Sequence, residues 1–230
     1  MEPITNYKKD YKELRYNKFK MYIDIVFPRD NEQDFIDVAV KLGYNALCFA
    51  YPFGRDIVHE KEKIKELEKK YKIKLYAGLC PKPEEIQRAV GKADLIVVKG
   101  SFKDRFVLEK TKADIIFNLE SHGRDSMHYR SSGLNQVLCR FAKANDICIG
   151  FSFSSLLKAD SFQKAVLIGR IKQNVKLCRK YKAKTIIASF AEKPFQLRNP
   201  SDLISFGITL GMHPSEAKKS LLNALEKITH

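Results

Sequence analysis

The chain has 230 residues, 44% of them hydrophobic, with 42 Lys and Arg against 27 Asp and Glu and a formal net charge of +15. That apolar content supports a buried core and argues against disorder, and no run approaches the roughly 18 to 20 apolar residues that span a bilayer. The cationic surplus favours polyanionic partners, whose closely spaced phosphates neutralise it and release counterions.

Residues Met1–Lys20 have no apolar h-region, so no secretory signal is expected and the protein is expected in the cytoplasm. The segment interleaves Lys8, Lys9, Lys12, Arg15, Lys18 and Lys20 with Tyr7, Tyr11, Tyr16 and Phe19. Such a mixture suits phosphate contact with base stacking, and equally a solvated arm. We read 1–20 as a basic arm and 21–230 as one domain.

From Met21 the pattern alternates. Met21–Val26 is a short β-rich run, followed by a helical pattern over Glu32–Leu42 that Gly43 ends. Tyr44–Ala50 predicts a strand, His59–Tyr71 an amphipathic helix, and Ile73–Gly78 a strand. Pro83 opens a helix with Glu84 and Glu85 in its first turn, where the dipole favours anions, and Gly91 stops it. Asp94–Val98 and Asp114–Phe117 are the next strands. A helix over Ser132–Asn145, a strand over Ile147–Phe151, a long helix over Ser161–Tyr181 and a strand over Thr185–Ala188 follow. Asn199-Pro200-Ser201-Asp202 and Pro214 begin two C-terminal helices.

Seven strands alternate with helices, which implies parallel strands joined by helical crossovers. Their residues are apolar on both faces, as a buried parallel sheet requires. There is no G-x-G-x-x-G after the first strand and no P-loop, so dinucleotide and nucleotide-hydrolysing folds lose support. The expected architecture is a distorted α/β barrel of about seven strands, a shortened TIM-like barrel. The five cysteines, Cys48, Cys80, Cys139, Cys148 and Cys178, form no C-x-x-C pair. They read as reduced, mostly buried thiols rather than zinc ligands.

Barrels work at the C-terminal ends of their strands. Those ends carry Lys99, then Asn118 with Glu120 and His122 beyond it, then Ser152, Ser154 and Ser189. Asp24 lies inside the first strand, and an ion pair with Lys99 within the barrel would satisfy it. The segment Ser121–Arg130 holds His122, His128, Arg124, Arg130 and Tyr129. It reads as a loop for phosphate contact, though a solvated loop would look the same. On the long helix, Ile168, Ile171, Val175 and Cys178 recur at helical spacing and should face the core. Lys172, Lys176, Arg179 and Lys180 lie off that stripe, with Arg170 near the start and Arg198 further on. The candidate RNA-binding residues are Lys99, His122, Arg124, Arg130, Arg170, Arg179, Lys180 and Arg198. A competing reading is a metal phosphoesterase with Asp24, Glu120, His122 and His128 as ligands. A sugar-phosphate barrel is a third, but it lacks a glycine-rich phosphate loop.

Several stretches also carry a resemblance. They are Gly78-Leu79-Cys80, Ala93–Gly100, Met127–Asn135, Ile149–Leu157, Gly169-Arg170 with Gln173-Asn174, Leu177–Tyr181 and Asn199–Gly207. Taken in order, they resemble the protein component 3 family of archaeal and eukaryotic ribonuclease P, from about Met21 to Met212. The resemblance implies a TIM-like barrel related to the polymerase-and-histidinol-phosphatase (PHP) phosphoesterases. It implies a subunit of the ribonucleoprotein endoribonuclease that removes 5′ leaders from precursor tRNA. It further implies pairing with component 2, usually two-plus-two, and contact with the catalytic RNA and the other ribonuclease P proteins, with precursor tRNA met indirectly. Chemistry would then reside in the RNA with Mg2+, and this chain would bind no cofactor. PHP phosphoesterases open with an H-x-H pair on their first strand. Here that strand reads Tyr22-Ile23-Asp24, so the barrel is expected to bind rather than to catalyse.

Overall fold

The computed structural model describes residues 21–123, 125–128 and 130–229. The basic arm over Met1–Lys20 lies outside them. Seven parallel strands pair in sequence order. They are β1 (Ile23–Val26), β2 (Ala46–Pro52), β3 (Lys74–Cys80), β4 (Leu95–Lys99), β5 (Ile115–Phe117), β6 (Cys148–Ser152) and β7 (Thr185–Ala188). Between and after them run α1 (Glu32–Lys41), α2 (Ile57–Tyr71), α3 (Ile86–Ala89), α4 (Asp104–Lys110), α5 (Gln136–Ala144), α6 (Phe153–Lys158), α7 (Ser161–Tyr181), α8 (Pro200–Thr209) and α9 (Pro214–Thr229). The result is a distorted, nearly closed parallel barrel surrounded by helices.

The period of two along each strand divides the core. Ile23, Ile25, Ala46, Cys48, Leu95, Val97, Ile115, Ile186 and Ala188 belong to the inner cluster. Leu47, Phe49, Ile96, Val98, Ile116, Ile149 and Ile187 pack outward with the helices. Each fully buried Leu, Ile or Phe contributes about 1.5 to 3 kcal/mol relative to exposure. This is why apolar residues fill both faces.

Edge strands β1 and β7 meet at a seam. A parallel bridge joins Val26 to Ala191, and Phe27 N donates to Ala191 O at 2.8 Å. Further down the seam a side chain replaces the ladder. Asp24 Oδ1 accepts from Ser189 N at 2.7 Å and from Ile25 N at 2.8 Å, so a buried amide is satisfied where no strand partner reaches it. Burial pushes the Asp24 carboxyl up to about 6, against the hydrogen bonds from Ser189, Ile25 and Tyr44. The expected Asp24–Lys99 ion pair does not form. Asp24 alternates with inward Ile23 and Ile25 and so faces the helices, whereas Lys99 shares the parity of inward Leu95 and Val97. Helix α9 packs against both β1 and β7. It places Ala224 in the inner cluster, and Asn223 Nδ2 donates to Thr185 O at 2.8 Å.

Local chemistry sets several boundaries away from the predicted ones. Helix α2 begins two residues before His59, because Asp56 Oδ1 accepts from Val58 N at 3.0 Å and caps it. Helix α5 begins at Gln136 rather than Ser132, because Gly133 holds φ +78 and Asn135 caps the next turn through Val137 N at 2.9 Å. Two short helices, α4 and α6, stand where the periodicity is too brief to register. The helix after Pro83 is one 3-10 turn followed by the four residues of α3.

Candidate nucleic-acid interface

The C-terminal strand ends surround a cavity of ≈ 500 Å³. Its apolar floor is a cluster of three rings, from the end of β5 and from the segments after β1 and β7. Phe117 and Phe190 lie 4.4 Å apart with planes at 3°, and Phe27 sits 5.6 Å from Phe117. Gly150 on β6 makes room for them, since a Cβ there would fall 2.8 Å from Phe117 Cβ and 3.0 Å from Phe190 Cζ. Two mouth residues hold left-handed backbone, Asn118 at φ +63 and Phe190 at φ +48. For a bulky residue such as Phe that conformation is a genuine outlier, and such strain gathers at functional sites. Ser155 Oγ donates to Asn118 Oδ1 at 2.5 Å, and Ser154 Oγ donates to Phe190 O at 2.8 Å. These bonds tie β5, α6 and β7 together around the opening.

Beside the mouth, helix α7 grips the loop that follows β5. Arg170 is 6% exposed. Its Nε donates to Asp125 Oδ1 at 3.0 Å, Nη1 to Glu120 O at 2.8 Å and Nη2 to Gly123 O at 3.2 Å. The same Asp125 oxygen accepts from Ser131 N at 2.7 Å. One turn along, Asn174 Nδ2 donates to Ser132 O at 2.8 Å, and Arg130 Nη1 reaches back to Gly169 O at 3.1 Å. A Cβ on Gly169 would sit 3.1 Å from the Arg130 guanidinium carbon. The two motif stretches Met127–Asn135 and Gly169–Asn174 therefore touch, which is the physical reason they occur together.

Glu120 lies beneath this loop, 1% exposed, and neither carboxyl oxygen has a hydrogen-bond partner among the described residues. Desolvation pushes it up to about 7, with the Arg170 charge pulling the other way and Asp104 adding to the rise. Asp104 is raised to about 6, also chiefly by burial.

The sequence-selected cations separate into groups. Lys99 is exposed at the end of β4 and lines the cavity. His122 lines it too, with Nε2 against Gly100 O and its ring 5.9 Å from Phe102. Arg130, Arg179 and Lys180 are exposed. Arg179 is anchored to α9 through Glu216 at 2.6 Å. Arg198 lies over the Phe153 ring at 5.1 Å and donates to Leu197 O at 2.7 Å. Arg124 is outside the described residues. Arg170 departs from expectation: every guanidinium nitrogen serves the loop, so it positions that loop instead of presenting itself to an outside phosphate. The four proposed metal ligands do not converge. Asp24 faces the helices, Glu120 is buried, His122 is at the mouth and His128 is exposed. Among the described residues no three His, Cys, Asp or Glu side chains come together as a metal site.

Asn118 stands at the mouth as its strand end predicts, and Arg29 and Lys158 stand there too, which sequence reasoning does not select. Arg29 was findable, because it follows β1 as Lys99 ends β4. Lys158 was not, because the periodicity does not reveal α6 as a helix that returns to the mouth.

Comparison with known proteins places these features among relatives. The family model described as RNase P subunit p30 matches residues 21–230. Ribonuclease P protein component 3 of Methanocaldococcus jannaschii is 28% identical over 214 residues, covering 89% of this chain and 88% of that protein. The component 3 protein of Thermococcus gammatolerans is 30% identical over 164 residues, covering 70% and 74%. A chain in a cryo-EM structure of archaeal ribonuclease P with mature tRNA superposes with a TM-score of 0.78 at 26% identity, covering 90% of both chains.

Proposed function

The chain belongs to the RNase P subunit p30 family, and from that premise we propose that it works by neutralising RNA phosphates within the ribonuclease P particle, together with component 2, and not by chemistry of its own. It is a protein component of ribonuclease P, the RNA–protein endoribonuclease that acts on precursor tRNA. The observation that carries the mechanism is the outer face of α7. Lys172, Lys176 and Lys180 are exposed at one-turn spacing, and no acidic residue occurs between Ser161 and Tyr181. A row of cations without acidic neighbours on its own helix tracks a phosphate backbone and is indifferent to base sequence. Arg179 lies on the same helix and Arg130 meets it at Gly169; Lys99, His122 and Arg198 are further phosphate contacts in this reading. Arg170 holds the loop that leads to Arg130.

Screening of phosphates lowers the divalent-ion demand of a folding RNA, so the subunit favours the active shape of the catalytic strand. The Mg2+ chemistry belongs to that strand in this reading. A two-plus-two assembly with component 2, with the barrel as one domain and Met1–Lys20 as an arm, completes the proposal.

The test is reconstitution. Cognate RNA and component 2 are incubated with precursor tRNA at limiting Mg2+, with and without this chain. Leader removal is expected only with it, while the chain alone with metal is inert. In direct binding, Lys176→Gln and Lys180→Gln should each reduce the slope of log affinity against log salt by about 1. Affinity that does not respond to salt would refute the mechanism.

A further inference from the structure

The mouth cavity concentrates positive charge over an aromatic floor. Arg29 enters from the turn after β1, Lys99 from the end of β4 and Lys158 from the end of α6, and the acid beside them is Glu192 after β7. Lys158 pairs with Glu192 at 2.6 Å. Arg29 and Lys99 have no side-chain hydrogen-bond or ion-pair partner among the described residues. Both nonetheless act on the same point. Burial raises the Glu192 carboxyl, but the Lys158 hydrogen bond and charge, followed by Lys99 and Arg29, hold it below its ordinary range. Three cations from distant parts of the chain therefore line one cavity with a single carboxylate among them, leaving a local surplus of about two charges.

We propose that this pocket binds a nucleoside monophosphate unit, its phosphate among Arg29, Lys99 and Lys158 and its base against Phe27. A phosphate monoester carries about −1.5 to −2 at neutral pH, which matches the surplus. Arg offers a fork and Lys a point charge to its oxygens. Phe27 lies beside the stacked pair of Phe117 and Phe190, 5.6 Å from Phe117 and 6.4 Å from Phe190, is half-buried and lines the cavity, so its ring offers an aromatic surface on which a base stacks without regard to sequence. The cavity falls within the roughly 300 to 1,000 Å³ of small-molecule sites. Asn118, locked by Ser155 and by its left-handed backbone, keeps its amide nitrogen free among the described residues to donate to the ligand. This site shares Lys99 with the RNA contacts proposed above but uses none of the α7 lysines. The unit is either a free nucleotide or the 5′-phosphorylated terminal nucleotide of an RNA strand, since both present a phosphate monoester and a base.

Calorimetric titration of the full chain at low salt tests the proposal with three probes: AMP, adenosine and inorganic phosphate. AMP should bind one saturable site, at least tenfold tighter than either part alone. Lys99→Gln should weaken AMP at least tenfold, Phe27→Leu should weaken AMP but not phosphate, and Lys65→Gln on the exposed side of α2 should change nothing. Displacement of bound AMP by a short single-stranded oligoadenylate bearing a 5′-phosphate, but not by the matching duplex, identifies a strand as the source. Failure of the oligomer to displace AMP identifies the free nucleotide. Absence of saturable AMP binding at millimolar concentration, or equal binding by Lys99→Gln, overturns the site. Either negative result leaves the salt-slope test of the α7 lysines standing, so the two readings fail separately.

Discussion

Replacing Glu120 by Gln removes a buried carboxyl whose desolvation is only partly offset by the Arg170 charge. The carboxyl is 1% exposed, has no hydrogen-bond partner among the described residues and titrates at about 7 against an ordinary 4.5. A carboxyl whose folded pKa is raised binds its proton more tightly in the native state than in the unfolded one. Its ionisation therefore costs stability as pH rises through the window between those values, and the cost vanishes at lower pH. Each tenfold difference in proton affinity between the two states is worth about 1.4 kcal/mol, so the penalty is about 3 kcal/mol at pH 8 and about 1 kcal/mol at pH 5. Glu120→Gln should thus be about 2 to 3 kcal/mol more favourable at pH 8 than at pH 5. For a chain of this size that is roughly 5 to 10 °C in Tm. The assay is thermal unfolding of both proteins at both pH values, read as the difference between the two mutational effects. Whatever the amide itself costs cancels in that difference. An effect of the same size at both pH values would mean that Glu120 is neutralised in place, with Arg170 as its direct counter-ion, and the reasoning would be wrong.

Arg170→Met keeps roughly the length and removes the clamp, leaving two loop carbonyls without their donor and Asp125 with Ser131 N alone. It should cost about 3 kcal/mol in chemical denaturation, with faster amide exchange over Ser121–Ser132 and an unchanged salt slope of RNA binding. A lowered salt slope with no loss of stability would instead place Arg170 on the RNA. Gly133→Ala should be among the worst single substitutions, because φ is +78 and the new Cβ would collide with Leu119 O. A loss of at least about 2 kcal/mol is expected, read as a lower urea midpoint. Asn199→Ala removes the acceptor for Asp202 N at 2.8 Å and should cost about 1 kcal/mol by the same measurement.

Much of the architecture was legible in the chain. Strand-length apolar runs alternate with helical periodicity, and parallel order follows because helical crossovers leave little alternative. Proline and asparagine at Asn199-Pro200 marked a helix start that the structure keeps. The motif stretches identified the family because a loop and the helix that grips it must agree, as Arg130 does with Gly169 and Asn174 with Ser132.

Tertiary structure alone decided which polar groups face inward. Arg170 and Lys180 look alike in a basic helix, but Arg170 falls on the side that meets the β5 loop, while Lys180 points to solvent. An Asp24–Lys99 pair is consistent with the chain alone, but strand parity puts the two on opposite faces of the sheet. The mouth pocket was invisible for the same reason. Phe27, Lys99, Lys158 and Phe190 are separated by long stretches of chain, and only barrel closure brings them to one opening. Local patterns record the period of an element and where it stops. The pairing of distant side chains depends on the register and parity of strands that meet only when the barrel forms.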